Sequence, residues 1–211
     1  MPSTGSEMVN STITTPPLNG QFAWACRPQY GETVCGDGVG WWPSAQGWVF
    51  ALVDGLGHGE EARIAAESAL LTVQQQLTQP LTTLFTECDQ ALFSTRGAAL
   101  AVGRIQCHGS QCEFEHAAVG NIRTVLWRDG KVRRFGAARG IVGAGFFSLY
   151  TEKMGLQRGD WLLFYSDGIA EAAPLTQTLP DRVPDQPLAE QLLAQWADGK
   201  DDAALLLYRH E

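Results

Sequence analysis

The chain has 211 residues, 45% of them apolar and 18% charged, with a formal net charge of −8. That length and apolar fraction favour a single globular domain and exclude wholesale disorder. The acidic balance argues against nucleic-acid binding, and no apolar run reaches the ~18–20 residues that span a bilayer.

Residues 1–20 are rich in Ser, Thr and Pro, with neither a basic start nor an apolar core. They read as a disordered tail and not as a signal peptide, leaving 21–211 as one domain. Phe22–Cys26 reads as a first strand. Gly47–Val53 is an apolar run of strand length, buried on both faces, that stops at Asp54 before a glycine-rich turn. Ala62, Ala65, Ala66, Ala69, Leu70, Val73 and Leu77 form one apolar face and predict a helix over 60–77. Glu60 and Glu61 complement its dipole. Pro80 opens a second amphipathic helix over 81–94.

From Gly97 the period changes. The stretches 98–106, 113–119, 123–128 and 131–135 read as strands, with Asp129-Gly130 a hairpin turn. Further strands are expected at 150–154 and 161–165, an irregular proline-rich loop at 174–187, a helix at 188–196 and a closing strand at 203–208. Strands, two helices, many strands, a helix and a strand make an α+β fold with antiparallel pairing. Five cysteines (26, 35, 88, 107 and 112) are an odd number in a chain too long to need staples, which points to a reduced, cytoplasmic setting.

Four acidic sites each lie at a strand end or turn beside a small residue or another acid: Gly36-Asp37-Gly38, Val53-Asp54-Gly55, Ser166-Asp167-Gly168 and Lys200-Asp201-Asp202. Only folding could gather them. Gathered, they would repel one another unless hard divalent cations sat among them. With no His/Cys set at zinc spacing, magnesium or manganese is the natural occupant. The plainer alternative is that Asp-Gly pairs simply make turns.

Gly36-Asp37, Asp54-Gly55-Leu56-Gly57-His58-Gly59 opening an Ala-rich helix, Ser166-Asp167-Gly168-Ile169 and Asp201-Asp202 before an apolar strand together resemble the metal-dependent, type 2C-like (PPM) serine/threonine protein phosphatases. The likeness is greatest to their compact bacterial regulatory branch, which holds the sporulation stage II E and RsbX-like stressosome phosphatases. Ala117-Ala118-Val119-Gly120-Asn121 and Arg139-Gly140-Ile141-Val142-Gly143 resemble that branch's central strands. The resemblance implies an α/β/β/α sandwich of two antiparallel sheets flanked by helices, with two Mn2+ or Mg2+ ions at one edge. It implies that Asp54 bridges both ions, with Gly55 adding its carbonyl, Asp37 serving one ion, and Asp167 and Asp201 the other. A water activated between the ions would attack phosphorus in line.

The substrate it implies is phosphoserine or phosphothreonine on a small regulatory protein of a stressosome or partner-switching system. No nucleic-acid or membrane partner is expected, and a monomer is favoured. The domain takes up nearly all of the chain, so control is expected from partners, expression or substrate state. Two positions depart from the eukaryotic pattern. Arg27 is only a loose counterpart of the arginine that grips phosphate, and His58 follows Gly55 by three residues where the acid histidine would follow directly. His58 is therefore a candidate either to protonate the leaving oxygen or to cap the turn and orient a water, the structural role being favoured. The alternative function is a catalytically weak phosphatase-fold module that binds a phosphoprotein.

Other readings are weaker. Gly55-x-Gly57-x-Gly59 lacks the third glycine of a dinucleotide loop at Glu60, and the local acids would repel a pyrophosphate. Cys107, His108, Cys112 and His116 lie on alternating faces of a hairpin and read as ordinary strand and turn residues, not a zinc site; the other cysteines read as core fillers. Arg123, Arg128, Lys131, Arg133, Arg134 and Arg139 read as a solvated hairpin face, or as a dock for an acidic partner. Trp41 and Trp42 read as packing residues, with a wall of the cleft as the alternative.

Overall fold

The computed structural model describes residues 20–170, 179 and 182–211. The expected tail, apart from Gly20, and much of the proline-rich stretch lie outside these residues. Among these residues, twelve strands and three helices follow in chain order. They are β1 (Gly20–Arg27), β2 (Asp37–Ser44), β3 (Gly47–Gly55), α1 (Glu60–Gln75), α2 (Leu81–Leu92), β4 (Ala98–His108), β5 (Gln111–Val119) and β6 (Arg123–Arg128). Then come β7 (Lys131–Arg134), β8 (Gly140–Ile141), β9 (Gly145–Phe146), β10 (Glu152–Gly155), β11 (Trp161–Tyr165), α3 (Gln186–Trp196) and β12 (Ala203–His210).

One antiparallel sheet runs β1-β12-β11-β6-β7 and the other β10-β5-β4-β3-β2. The β8–β9 hairpin forms a small third sheet, tied to the head of β4 through the Ala98–Val142 bridge. This is the expected α+β sandwich of two sheets flanked by helices, and β3 shows why it is stable. Its Val49, Ala51 and Val53 pack under α1 and α2 with Ala66, Ala69, Leu84 and Phe85. Its Trp48, Phe50 and Leu52 face the opposite way, into an inter-sheet core with Phe114, Leu162, Phe164, Leu206 and Tyr208. A strand covered on both faces must be apolar throughout, hence the unbroken run. On the other sheet, α3 buries Leu188, Leu192 and Trp196 against Leu163, Leu205 and Leu207.

The sequence reading missed β2, an edge strand whose two glycines and Pro43 carry little strand signal. The glycines are there for the helix: a Cβ on Gly38 would lie 2.9 Å from Leu70 Cδ1. Trp42 is 6% exposed and packs on the helix side, while Trp41 sits against Phe22 and Trp24, so both are packing residues. α1 and α2 end at Gln75 and Leu92, two residues short of expectation.

One reading is corrected. Cys107 and Cys112, which the sequence presents as ordinary hairpin residues of a reduced protein, are joined by a disulfide. The β4–β5 register sets them directly opposite each other, a pairing that spacing alone could not establish. Among the described residues, no helix is long and apolar enough to cross a membrane.

Candidate active site

The sandwich end where β2 begins and β3 stops collects the acidic residues. The β2–β3 register places Asp37 opposite Asp54, so both side chains leave the same face. Alternation along β3 carries the inward direction from Phe50 and Leu52 on to Asp54, at the mouth of the inter-sheet core. β11 ends two residues before Asp167 and β12 starts two after Asp201, with Tyr165 opposite Leu205. Two antiparallel pairs thus deliver acids from both sheets to one end.

These acids feel one another. Burial, and then the charges of Asp167, Asp201 and Asp202, push Asp54 up to about 7, against an opposing hydrogen bond from Asn121. Burial, and then Asp54, hold Asp37 well above the usual carboxylate range, against a hydrogen bond from Ser166. Asp37 is 7% exposed, and its Oδ2 is buried without a hydrogen-bond partner among the described residues. An orphaned carboxylate oxygen is costly unless something outside the described residues meets it.

Asn121 and Ser166, which sequence reasoning did not single out, organise these acids. Asn121 Nδ2 donates to Asp167 Oδ2 at 2.7 Å and the same side chain bonds Asp54. Ser166 Oγ accepts from the Ala204 N–H at 2.9 Å while its hydroxyl serves Asp37. The only sequence signals were a polar residue closing a strand after Gly120 and a serine directly before Asp167.

The glycines beside the acids do more than turn. A Cβ on Gly55 would meet the Ala62 carbonyl oxygen at 2.1 Å, and one on Gly168 would meet that of Asp202 at the same distance. Neither has a positive φ, so close backbone packing, not turn geometry, demands glycine there. Asp201 is exposed, and its Oδ1 accepts from the Asp202 N–H at 2.9 Å. Asp202 is buried, and its carboxylate accepts from the Gln29 and Gly36 N–H groups at 2.8 and 2.9 Å. It ties the β1–β2 connection to the head of β12.

Other candidates find different places. His58 Nδ1 lies 2.7 Å from Glu32 Oε1, half-exposed on the turn before α1. Arg27 Nη2 donates to the Ala197 carbonyl at 3.1 Å, which commits it away from the acids. In the basic cluster, Arg128 pairs with Asp160 and Arg133 with Glu152. Arg139 instead lines a cleft of about 340 Å³ beside Asp54, Leu56, Asn121, Gly140 and Ile141.

No three His, Cys, Asp or Glu side chains among the described residues close into a ready-made metal cage. Even so, an all-oxygen donor set, mutual repulsion and an orphaned Asp37 oxygen suit a hard divalent cation.

Comparisons with known proteins place this architecture. The family model of stage II sporulation protein E (SpoIIE) matches residues 44–211. The phosphoserine phosphatase RsbX of Bacillus subtilis (strain 168) is 27% identical over 96 residues, which are 46% of this chain and 47% of RsbX. The match thus spans about half the length of that curated relative. A solved structure described as the bacterial stressosome, a modular system adapted to control secondary messenger signaling, aligns with TM-score 0.84 and 30% identity over 90% of this chain and 99% of the other. RsbX in complex with magnesium aligns with TM-score 0.78 and 20% identity over 89% and 94% of the two chains, a likeness of fold. The two-sheet sandwich with its acidic end therefore belongs to the stage II sporulation protein E family of PPM-type phosphatases.

Proposed function

We propose that this protein removes phosphate from phosphoserine or phosphothreonine on a regulatory protein, with divalent cations, Mn2+ or Mg2+, held at the acidic end of the sandwich. The observation that carries the reading is the register pair Asp37–Asp54, the first buried and the second half-buried, raised together, with one Asp37 oxygen unpartnered among the described residues. Asp37, Asp54, the Gly55 carbonyl, Asp167 and Asp201 would hold the cations, two in number by resemblance. Such cations lower the pKa of water and offset charge on the phosphoryl oxygens.

The chain's own residues do the positioning. Asn121 aligns Asp54 with Asp167, and Ser166 fixes Asp37 against β12. Leu56 and Ile141 give the cleft apolar walls that limit water around the scissile ester. With Glu32 ionised, the Nδ1 of His58 carries the hydrogen of their contact. That contact holds the turn before α1, and protonation of the leaving oxygen is the second role open to His58. A stressosome or partner-switching regulator as substrate is supported by the names of the relatives, and a cytoplasmic setting goes with that substrate.

The test is to incubate the protein with manganese and candidate phosphoproteins and follow phosphate loss by mass spectrometry, with p-nitrophenyl phosphate alongside. Turnover that a chelator abolishes supports the reading. Tight phosphoprotein binding without turnover would instead establish a phosphatase-fold binding module.

A further inference from the structure

A phosphoryl dianion entering a cleft whose floor is Asp54 meets repulsion from the protein unless the wall supplies positive charge. Arg139 is the one cation among the described residues lining that cleft. We infer that Arg139 holds the phosphoryl oxygens of the substrate, opposite the acidic floor; the inference rests on the phosphatase reading above.

Three observations carry it. First, the Arg139 backbone is fixed. Its carbonyl accepts from Phe147 N at 2.9 Å, Ala138 N donates to the Ala118 carbonyl at 2.8 Å, and the Ala138 carbonyl accepts from Gly120 N at 3.0 Å. The residue is thereby pinned beside Gly120-Asn121, the same segment that positions Asp54 and Asp167.

Second, its guanidinium is uncommitted among the described residues. Arg139 is exposed, and no ion pair or side-chain hydrogen bond to a described residue engages it. Arg128 and Arg133, from the same cluster, are taken by Asp160 and Glu152, and Arg27 by the Ala197 carbonyl. Third, the chemistry matches: a guanidinium presents paired N–H donors that fit two phosphoryl oxygens, which a point charge does less well. Arg139 therefore contributes substrate binding, and the cations remain the business of the carboxylates.

The test compares wild type, Arg139→Met, Arg139→Lys and Arg134→Met, an exposed neighbour outside the cleft. Each is assayed on p-nitrophenyl phosphate at saturating manganese, with inorganic phosphate as inhibitor, and phosphate binding is also measured by calorimetry. Arg139→Met should raise KM and the phosphate inhibition constant by about tenfold or more, as expected for losing charged hydrogen bonds. The manganese activation midpoint should not move, Arg139→Lys should recover part of the loss, and Arg134→Met should match wild type. Unchanged KM and phosphate inhibition in Arg139→Met would overturn the assignment, as would an equal effect from Arg134→Met. Wild type that turns over no ester would refute the phosphatase reading instead, and calorimetric phosphate affinity would still decide on Arg139.

Discussion

β11 has an aspartate just outside each end, and the two live under opposite regimes. Asp160, before the strand, is 1% exposed and fully met: Arg128 Nε donates to Oδ1 at 2.6 Å, Arg128 Nη2 reaches Oδ2, and the Gln157 N–H reaches Oδ2 at 2.7 Å. Asp167, beyond the strand, joins Asp201 and Asp202 in acting on Asp54, whose register partner Asp37 has one oxygen without a partner among the described residues. The same end of the molecule that carries Asp160 also carries the Cys107–Cys112 disulfide across the β4–β5 hairpin. One end is compensated by the protein itself; the other is left incomplete, as a site must be if a cation and a substrate are to complete it. That contrast can be attacked from either side.

The largest effect is expected at the incomplete end. Asp54→Asn keeps size but removes the charge shared with Asp37 and Asp167. Turnover at saturating manganese should fall by at least about a hundredfold, the upper range for losing a mere outer partner of a metal ligand. The same change should raise the melting temperature in chelator, because it removes the burial cost and the repulsion that together lift Asp54 to about 7. At the compensated end the signs reverse. Arg128→Met strands the buried Asp160 charge and should destabilise the fold by about 3 kcal/mol, read by urea denaturation, with little change in turnover per folded molecule.

Cations and pH should move stability next. Folded Asp54 binds its proton more tightly than the unfolded chain does. Its stabilising contribution is therefore complete below its ordinary value of 3.8 and is lost as pH rises through about 7. His116, buried and lowered to about 4, opposes this below its ordinary 6.5, so the window to use is about pH 6.5–8. In chelator the melting temperature should drop across that window. With manganese at about a hundred times its dissociation constant the fold should gain about 2.7 kcal/mol, and the melting temperature should lose that drop. A melting temperature that rises with pH in chelator would contradict the raised carboxylates.

Smaller effects follow. Asp202→Asn can accept only one of the two N–H groups that Gln29 and Gly36 now donate, and should lose about 1–2 kcal/mol, measured by thermal unfolding. His58→Ala removes a half-exposed contact with Glu32 and should change stability by less than about 1 kcal/mol. If His58 also protonates the leaving oxygen, that variant slows phosphoprotein hydrolysis more than p-nitrophenyl phosphate hydrolysis.

What the sequence disclosed depended on whether the determining force was local. The two-sided burial of β3 and the small-residue face of α1 are written in period and composition, and both were readable. Asp54, Asp167 and Asp201 drew attention as candidates because each stands beside a strand-like run, and Asp37 because glycines flank it. β2 was not readable: its glycines answer to Leu70 on a helix far along the chain. Asp201 and Asp202 look alike in sequence, and only the fold tells the exposed acid from the one holding two backbone N–H groups. Arg139 could not be separated from its cluster either, since pairing with Asp160 or Glu152 is decided by tertiary contacts.

The facing of Asp37 and Asp54 is a matter of parity. Side chains alternate along a strand, so a slip of one residue between β2 and β3 would point one of the two acids out of the site. The short Ala45-Gln46 connection between these strands sets that count. A single insertion or deletion inside β2 should therefore disable the site even where the edge strand still forms. Length changes between Pro28 and Cys35, upstream of the pairing, leave the parity intact. Variation in length among related chains is then expected to gather before Gly36 and to spare the hairpin that follows it.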